Sequence, residues 1–200
     1  MNQFEYFFGF YSIVLGLSVV ELLNGVARAI ENRSSLRLSR LTLLLALFVA
    51  LDLSSYWLQA WMLYQNAPLS MAIMTHGLVA AGSYYIASYL IFPRGIGADP
   101  GAGLDQHFWA TRRWVFGAVL LTNVLNVGSI ALLPGGLDWT RSTPYAAFIA
   151  TYYIACAIAV LAPRGRWVVG ALIWLVIFSF LAIGLDLRET VGSGPWSVGG

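Results

Sequence analysis

The chain has 200 residues, a net charge of +2 and 10% charged side chains, with a mean hydropathy of +0.74. Soluble globular domains carry about 25% charged residues, so this composition excludes that class and points to an all-α, polytopic membrane protein. All eleven basic residues are Arg and they form no polybasic arm, which leaves no footprint for a nucleic-acid partner.

Six apolar windows approach the ~20 residues needed to cross a ~30 Å hydrocarbon core. They are 6–30, 41–63, 71–92, 113–133, 145–162 and 167–187, and together they make one transmembrane domain over 1–200. No basic segment precedes the first window and no small-residue cleavage site follows it, so the first helix is expected to remain in the mature protein. The single cysteine, Cys156, excludes an intrachain disulfide.

The first window carries Glu21 and Asn24 inside an otherwise apolar run. An ionised carboxylate in a span costs on the order of 3 kcal/mol, so something must satisfy it. Tyr11, Val14, Ser18, Glu21, Gly25 and Arg28 follow a 3,4 spacing and share one face, with Asn24 beside it. Asn24 is within reach of Glu21, and Arg28 can bend towards it. This face reads either as part of a buried ion-linked site or as a packing seam of small residues.

The second window places Asp52 ~16 Å from its inner end, near the midplane. Ser55 and Gln59 continue its face outward. A midplane carboxylate reads as a proton carrier, a cation ligand or a counter-ion, against the plainer reading of a hydrogen-bonded structural aspartate. On the third window His76, Ala80, Ser83 and Ala87 share a face, and a lone histidine there is more often a packing residue than a ligand. The fourth carries Thr122, Asn123, Asn126 and Ser129 at mid-depth, with amides able to hold Glu21 or Asp52 in either protonation state. The fifth offers only Thr151 and Cys156 and is expected to be peripheral. On the sixth, Asp186 is expected near the outer boundary, solvated.

Nine arginines (Arg28, Arg33, Arg37, Arg40, Arg94, Arg112, Arg113, Arg164 and Arg166) fall at connections one, three and five, and two (Arg141 and Arg188) fall opposite. The positive-inside rule then places both termini on the outer side. The chain also echoes itself. Tyr84 to Ala87 and Tyr152 to Ala155 both read YYIA, each followed by Pro-Arg-Gly, and Arg113-Trp114-Val115 matches Arg166-Trp167-Val168 in the helices that follow. Helices three and four therefore read as a parallel repeat of helices five and six. The Gly-rich third connection, with Gly95, Gly97, Gly101 and Gly103, reads as a linker or a docking segment.

No HExxH, GxSxG, P-loop, CxxC or strand-linked GxGxxG motif is present, so no enzyme class and no cofactor is indicated. A metal site from Glu21, Asp52 and His76 is disfavoured because their depths differ by a helical turn or more. The opening FEYFF, the segment GLSVVELLNGVAR and the later RRWVFGA resemble a family of small uncharacterised bacterial inner-membrane proteins. That resemblance implies a bacterial inner-membrane location and no functional residues.

The expected function is a small transporter or channel-like protein, a homo-oligomer in contact with membrane lipid. Its buried proton- or cation-linked site draws on Glu21, Asn24, Asp52, Ser55, Asn123 and Asn126, with Ser18, Arg28, Gln59 and His76 in support. The competing expectation is a non-transporting scaffold or accessory subunit that binds a partner membrane protein or lipid. A lipid or quinone on the aromatic outer rim is a third.

Overall fold

The computed structural model describes residues 3–31, 39–65, 70–93, 104–131 and 142–193. The Gly-rich third connection and Arg33, Arg37, Arg94 and Arg141 lie outside the described residues. Six helices are seen: α1 (Gln3–Glu31), α2 (Arg40–Tyr64), α3 (Met71–Ile91), α4 (Leu104–Ala131), α5 (Thr143–Leu161) and α6 (Arg166–Ser193).

Their ends follow from local chemistry. Ser39 and Ser70 cap α2 and α3, accepting hydrogen bonds from the backbone N–H of Thr42 and Ile73 at 3.2 and 3.3 Å. Pro144 opens α5, where its fixed φ and missing N–H cost nothing. The helices α3 and α5 both stop before a proline. Phe92 and Ala162, the residues preceding Pro93 and Pro163, are extended, as a pre-proline position prefers. Gly165 then turns the chain into α6 at φ +154°, a conformation that favours glycine.

Five of the six helices are long and apolar enough to cross a membrane: α1, α2, α4, α5 and α6. The exception is α3, diluted by Thr75, His76, Ser83, Ser88 and three tyrosines. Its neighbours use much of that polarity. Ser83 donates to its own helix at Val79 O, Tyr84 to α2, and His76 meets both α2 and α4.

Around the bundle the helices run α1, α3, α4, α5, α6, α2 and back to α1, with α2 also reaching inward to α3 and α4. The helix carrying Asp52 is thus the most enclosed. The outer surface is strongly apolar: Tyr6, Phe10, Ile13, Leu17 and Val20, for example, form an exposed stripe along α1. Exposed apolar surface of this extent is compatible with an integral membrane protein. Trp114 and Trp167, at corresponding places in α4 and α6, are both exposed.

Two expectations need correction. Hydropathy starts the fourth helix at 113, yet α4 begins at Leu104. Asp105, His107 and Arg112 lower the window average, but Leu104, Phe108, Arg112 and Val115 form a buried stripe that continues the helix. Arg112 is 2% exposed, and its guanidinium donates to the carbonyls of Ala159 and Ala162 at the end of α5. Those carbonyls lack partners within their own helix, and a cation suits the negative end of its dipole. At the end of α3, His107 Nε2 meets Leu90 O at 3.0 Å. The second concerns α5, which lies at the edge of the bundle against α4 and α6 and is the least buried of the five long helices, yet turns Tyr152, Ala155, Cys156 and Ala159 inward.

Candidate functional site

Asp52 lies midway between Arg40 and Tyr64, ~18 Å from either end of α2 by helical rise. It is 7% exposed. Three neutral donors from three other helices converge on its carboxyl group. Tyr152 of α5 donates to Oδ1 at 2.7 Å, and Tyr84 of α3 donates to Oδ2 at 2.6 Å. Asn123 of α4 donates to Oδ2 through Nδ2 at 3.2 Å, and the same amide contacts the Tyr152 hydroxyl at 2.9 Å. The register explains this convergence. Tyr84 and Tyr152 hold the same place in the two YYIA segments, and both are buried with their hydroxyls turned to α2.

Tyrosine hydroxyls and an amide N–H donate and the carboxyl oxygens accept, an arrangement open to either protonation state of Asp52. Hydrogen bonds to a charged acceptor are worth about 1.5–3 kcal/mol each. Among the described residues no cationic side chain pairs with Asp52. The carboxyl group is therefore hydrogen-bonded on both oxygens and carries no ion pair among the described residues.

Space adjoins the carboxyl group on two sides. A cavity of about 360 Å³ between α2, α4, α5 and α6 is bordered by Asp52, Asn123, Tyr152 and Phe178. A second cleft of about 330 Å³ runs from Asp52 between α2 and α6 to Ser179 and Asp186. Ser55 and Gln59 line both. Gln59 donates to Ser55 Oγ at 3.1 Å and accepts from Asn126 Nδ2 at 2.7 Å, so these three form a polar ladder rising from Asp52.

The structure thus brings together Asp52, Ser55, Gln59, Asn123 and Asn126. It does not bring Glu21, Asn24, Ser18 or Arg28 to them. Glu21 pairs with Arg28 at 3.5 Å, the arginine reaching back along α1 as its spacing allows. Asn24 is exposed on the outer side of α1, and Ser18 is buried, donating to Val14 O at 3.4 Å. The buried stripe of α1 is Phe7, Tyr11, Leu15, Ser18, Leu22, Gly25 and Ala29, which leaves Glu21 on its flank. Gly25 and Gly77 mark a close approach of α1 to the third helix and its end. A Cβ at Gly25 would overlap the Phe92 ring, and one at Gly77 would lie 3.0 Å from Phe7. For α1 the packing seam is therefore what its small residues build.

His76 sits off the cavity, bridging Tyr64 and Ser129 at 2.7 and 3.1 Å. A neutral imidazole can donate to one and accept from the other, so it is a satisfied packing residue. Among the described residues no group of three or more His, Cys, Asp or Glu side chains could hold a metal ion.

No family model, curated protein or solved structure matches the chain. The site must be read from its own chemistry. Sequence reasoning missed Tyr84 and Tyr152 as site residues, although the doubled YYIA was the signal that could have found them. It also missed Tyr153, whose hydroxyl donates to the Asn123 carbonyl at 3.3 Å, and Phe178, 8% exposed beneath the cavity.

Proposed function

We propose that the protein is a small integral membrane transporter or channel-like protein in which Asp52 is a proton- or cation-linked site. One observation carries this reading: a carboxyl group at the middle of a membrane-length helix is held by three neutral donors, has no cationic partner among the described residues, and borders a cavity. Leaving a charge so placed is costly unless a proton or a cation meets it. A purely structural aspartate needs the donors but not the cavity.

In this reading α3 also crosses the membrane, its polar atoms covered by α1, α2 and α4. The positive-inside count supports outer termini, and the resemblance noted above supports a bacterial inner membrane. Exposed Trp114 and Trp167 fit an anchoring role at one interface. The paired YYIA, Pro-Arg-Gly and Arg-Trp-Val segments, with two equivalent tyrosines on one carboxyl group, support a parallel repeat of hairpins.

The test is flux of protons or monovalent cations into liposomes carrying the purified protein. Flux that disappears in Asp52→Asn supports the proposal. No flux, or equal flux in the variant, removes it.

A second reading has its own observation. Asn24 is exposed on the same side of α1 as the apolar stripe, and a polar amide there favours a docked helix, from a second copy or a partner membrane protein. It predicts a closed oligomer or a co-purifying subunit that is lost in Asn24→Leu.

A further inference from the structure

The cavity beside Asp52 has more to recognise than a bare charge. We infer that the cation taken at Asp52 is an organic ammonium ion, a protonated primary amine whose apolar part lies among Tyr145, Tyr153 and Phe178. This rests on the reading of Asp52 as a cation-linked site and specifies its ligand class.

Three features of the site carry it. The first is size: about 360 Å³ is far more than a proton or a dehydrated inorganic cation needs, and falls within the range of small-molecule pockets. The second is acceptor chemistry. Asp52 Oδ2 already takes two hydrogen bonds, whereas Oδ1 takes one, from Tyr152. A carboxylate oxygen has room for a second, so Oδ1 can accept an ammonium N–H. The Asn123 amide spends its N–H groups on Asp52, Val119 O and the Tyr152 hydroxyl, and its own oxygen accepts nothing among the described residues. Two oxygens with acceptor capacity to spare thus belong to hydrogen-bonded residues that both border the cavity.

The third is the wall itself. Tyr145, Tyr153 and Phe178 border the cavity alongside the aliphatic Val127, Ile130 and Ile149. Aromatic faces attract an ammonium ion electrostatically, and more strongly once it is desolvated. An inorganic cation would draw only on the oxygens of this wall and leave its apolar and aromatic side unfilled. A neutral ligand would leave the Asp52 charge unmet.

Ligand-observed fluorine NMR on the full chain in nanodiscs tests this, with fluorobenzylammonium as probe, fluorobenzyl alcohol as its neutral counterpart and empty nanodiscs as blank. The ammonium signal is expected to broaden saturably, and the alcohol to bind at least about tenfold more weakly. Asp52→Asn should abolish ammonium binding. Phe178→Leu should weaken it about threefold or more, and Glu21→Gln should leave it unchanged, with each variant checked for monodisperse elution and helical content.

Equal binding of the alcohol, undiminished binding in Asp52→Asn, or no ammonium binding would overturn the inference. Flux measured in parallel separates the two claims. Asp52-dependent flux of protons or sodium without ammonium binding overturns the ligand class and keeps the site. Asp52-dependent ammonium binding without flux keeps the ligand class and removes transport.

Discussion

Tyr84 and Tyr152, equivalent residues of two repeated YYIA segments, each hold one oxygen of Asp52, at 2.6 and 2.7 Å. The pairing fixes the carboxyl plane relative to α3 and α5 in a residue that borders the cavity. Replacing either tyrosine by Phe removes a charge-assisted hydrogen bond without changing ring packing. Each change should cost about 1–2 kcal/mol of stability. In an Asp52→Asn background the same change should cost under about 0.5 kcal/mol, because the charged acceptor is gone. Unfolding in mixed micelles, run as a double-mutant cycle, reads the difference.

Glu21 stands apart from that cluster. Its pair with Arg28 spans 3.5 Å, and the arginine is 35% exposed. Glu21 itself is only 14% exposed, so Glu21→Gln, which keeps a polar group beside Arg28, should cost about 1–2 kcal/mol and leave any Asp52-dependent flux intact. Flux that falls with Glu21→Gln as it does with Asp52→Asn would show that both carboxylates serve one path.

Arg112 and Arg113 are adjacent in sequence and differ in role. Arg112 is buried and satisfies the last carbonyls of α5, whereas Arg113 is exposed. Arg112→Gln should cost about 3 kcal/mol, since it strips two carbonyls of a charged donor. Arg113→Gln should stay within about 0.5 kcal/mol. Thermal unfolding of the two variants side by side checks this.

Gly25 packs against the Phe92 ring just past the end of α3. Gly25→Ala drives a methyl group into that ring near its base, and should cost about 1–3 kcal/mol, as overpacking does. Phe92→Leu in the same chain should recover part of the loss. Gly16→Ala, where nothing lies within 4 Å of the added Cβ, should be neutral or slightly stabilising.

Much of this was legible in the sequence because it depends on local pattern. Long apolar windows predict the helices, and a midplane carboxylate with Ser55 and Gln59 on its face predicts a polar centre at Asp52. Three things were not. The phase of α1 was off by one helical position: Glu21 borders the buried stripe, and only the packing of α1 on α3 decides which side of Ser18 turns inward. The start of α4 was hidden because Arg112 and His107 depress hydropathy, although each is consumed by carbonyls at the end of another helix. Tyr84 and Tyr152 were legible only as part of a repeated YYIA segment, since a tyrosine hydroxyl reveals its acceptor only when helices distant in sequence are brought together.

The most direct test of the central claim is infrared difference spectroscopy of the reconstituted protein through a pH jump, with Asp52→Asn and Glu21→Gln as assignments. A carboxyl band that responds to the external solution, persists in Glu21→Gln and vanishes in Asp52→Asn is the predicted result. It would show Asp52 exchanging protons with the aqueous phase from the centre of the bundle. No Asp52-dependent band change at any pH where the protein stays folded would contradict the account and leave Asp52 as a sealed structural group.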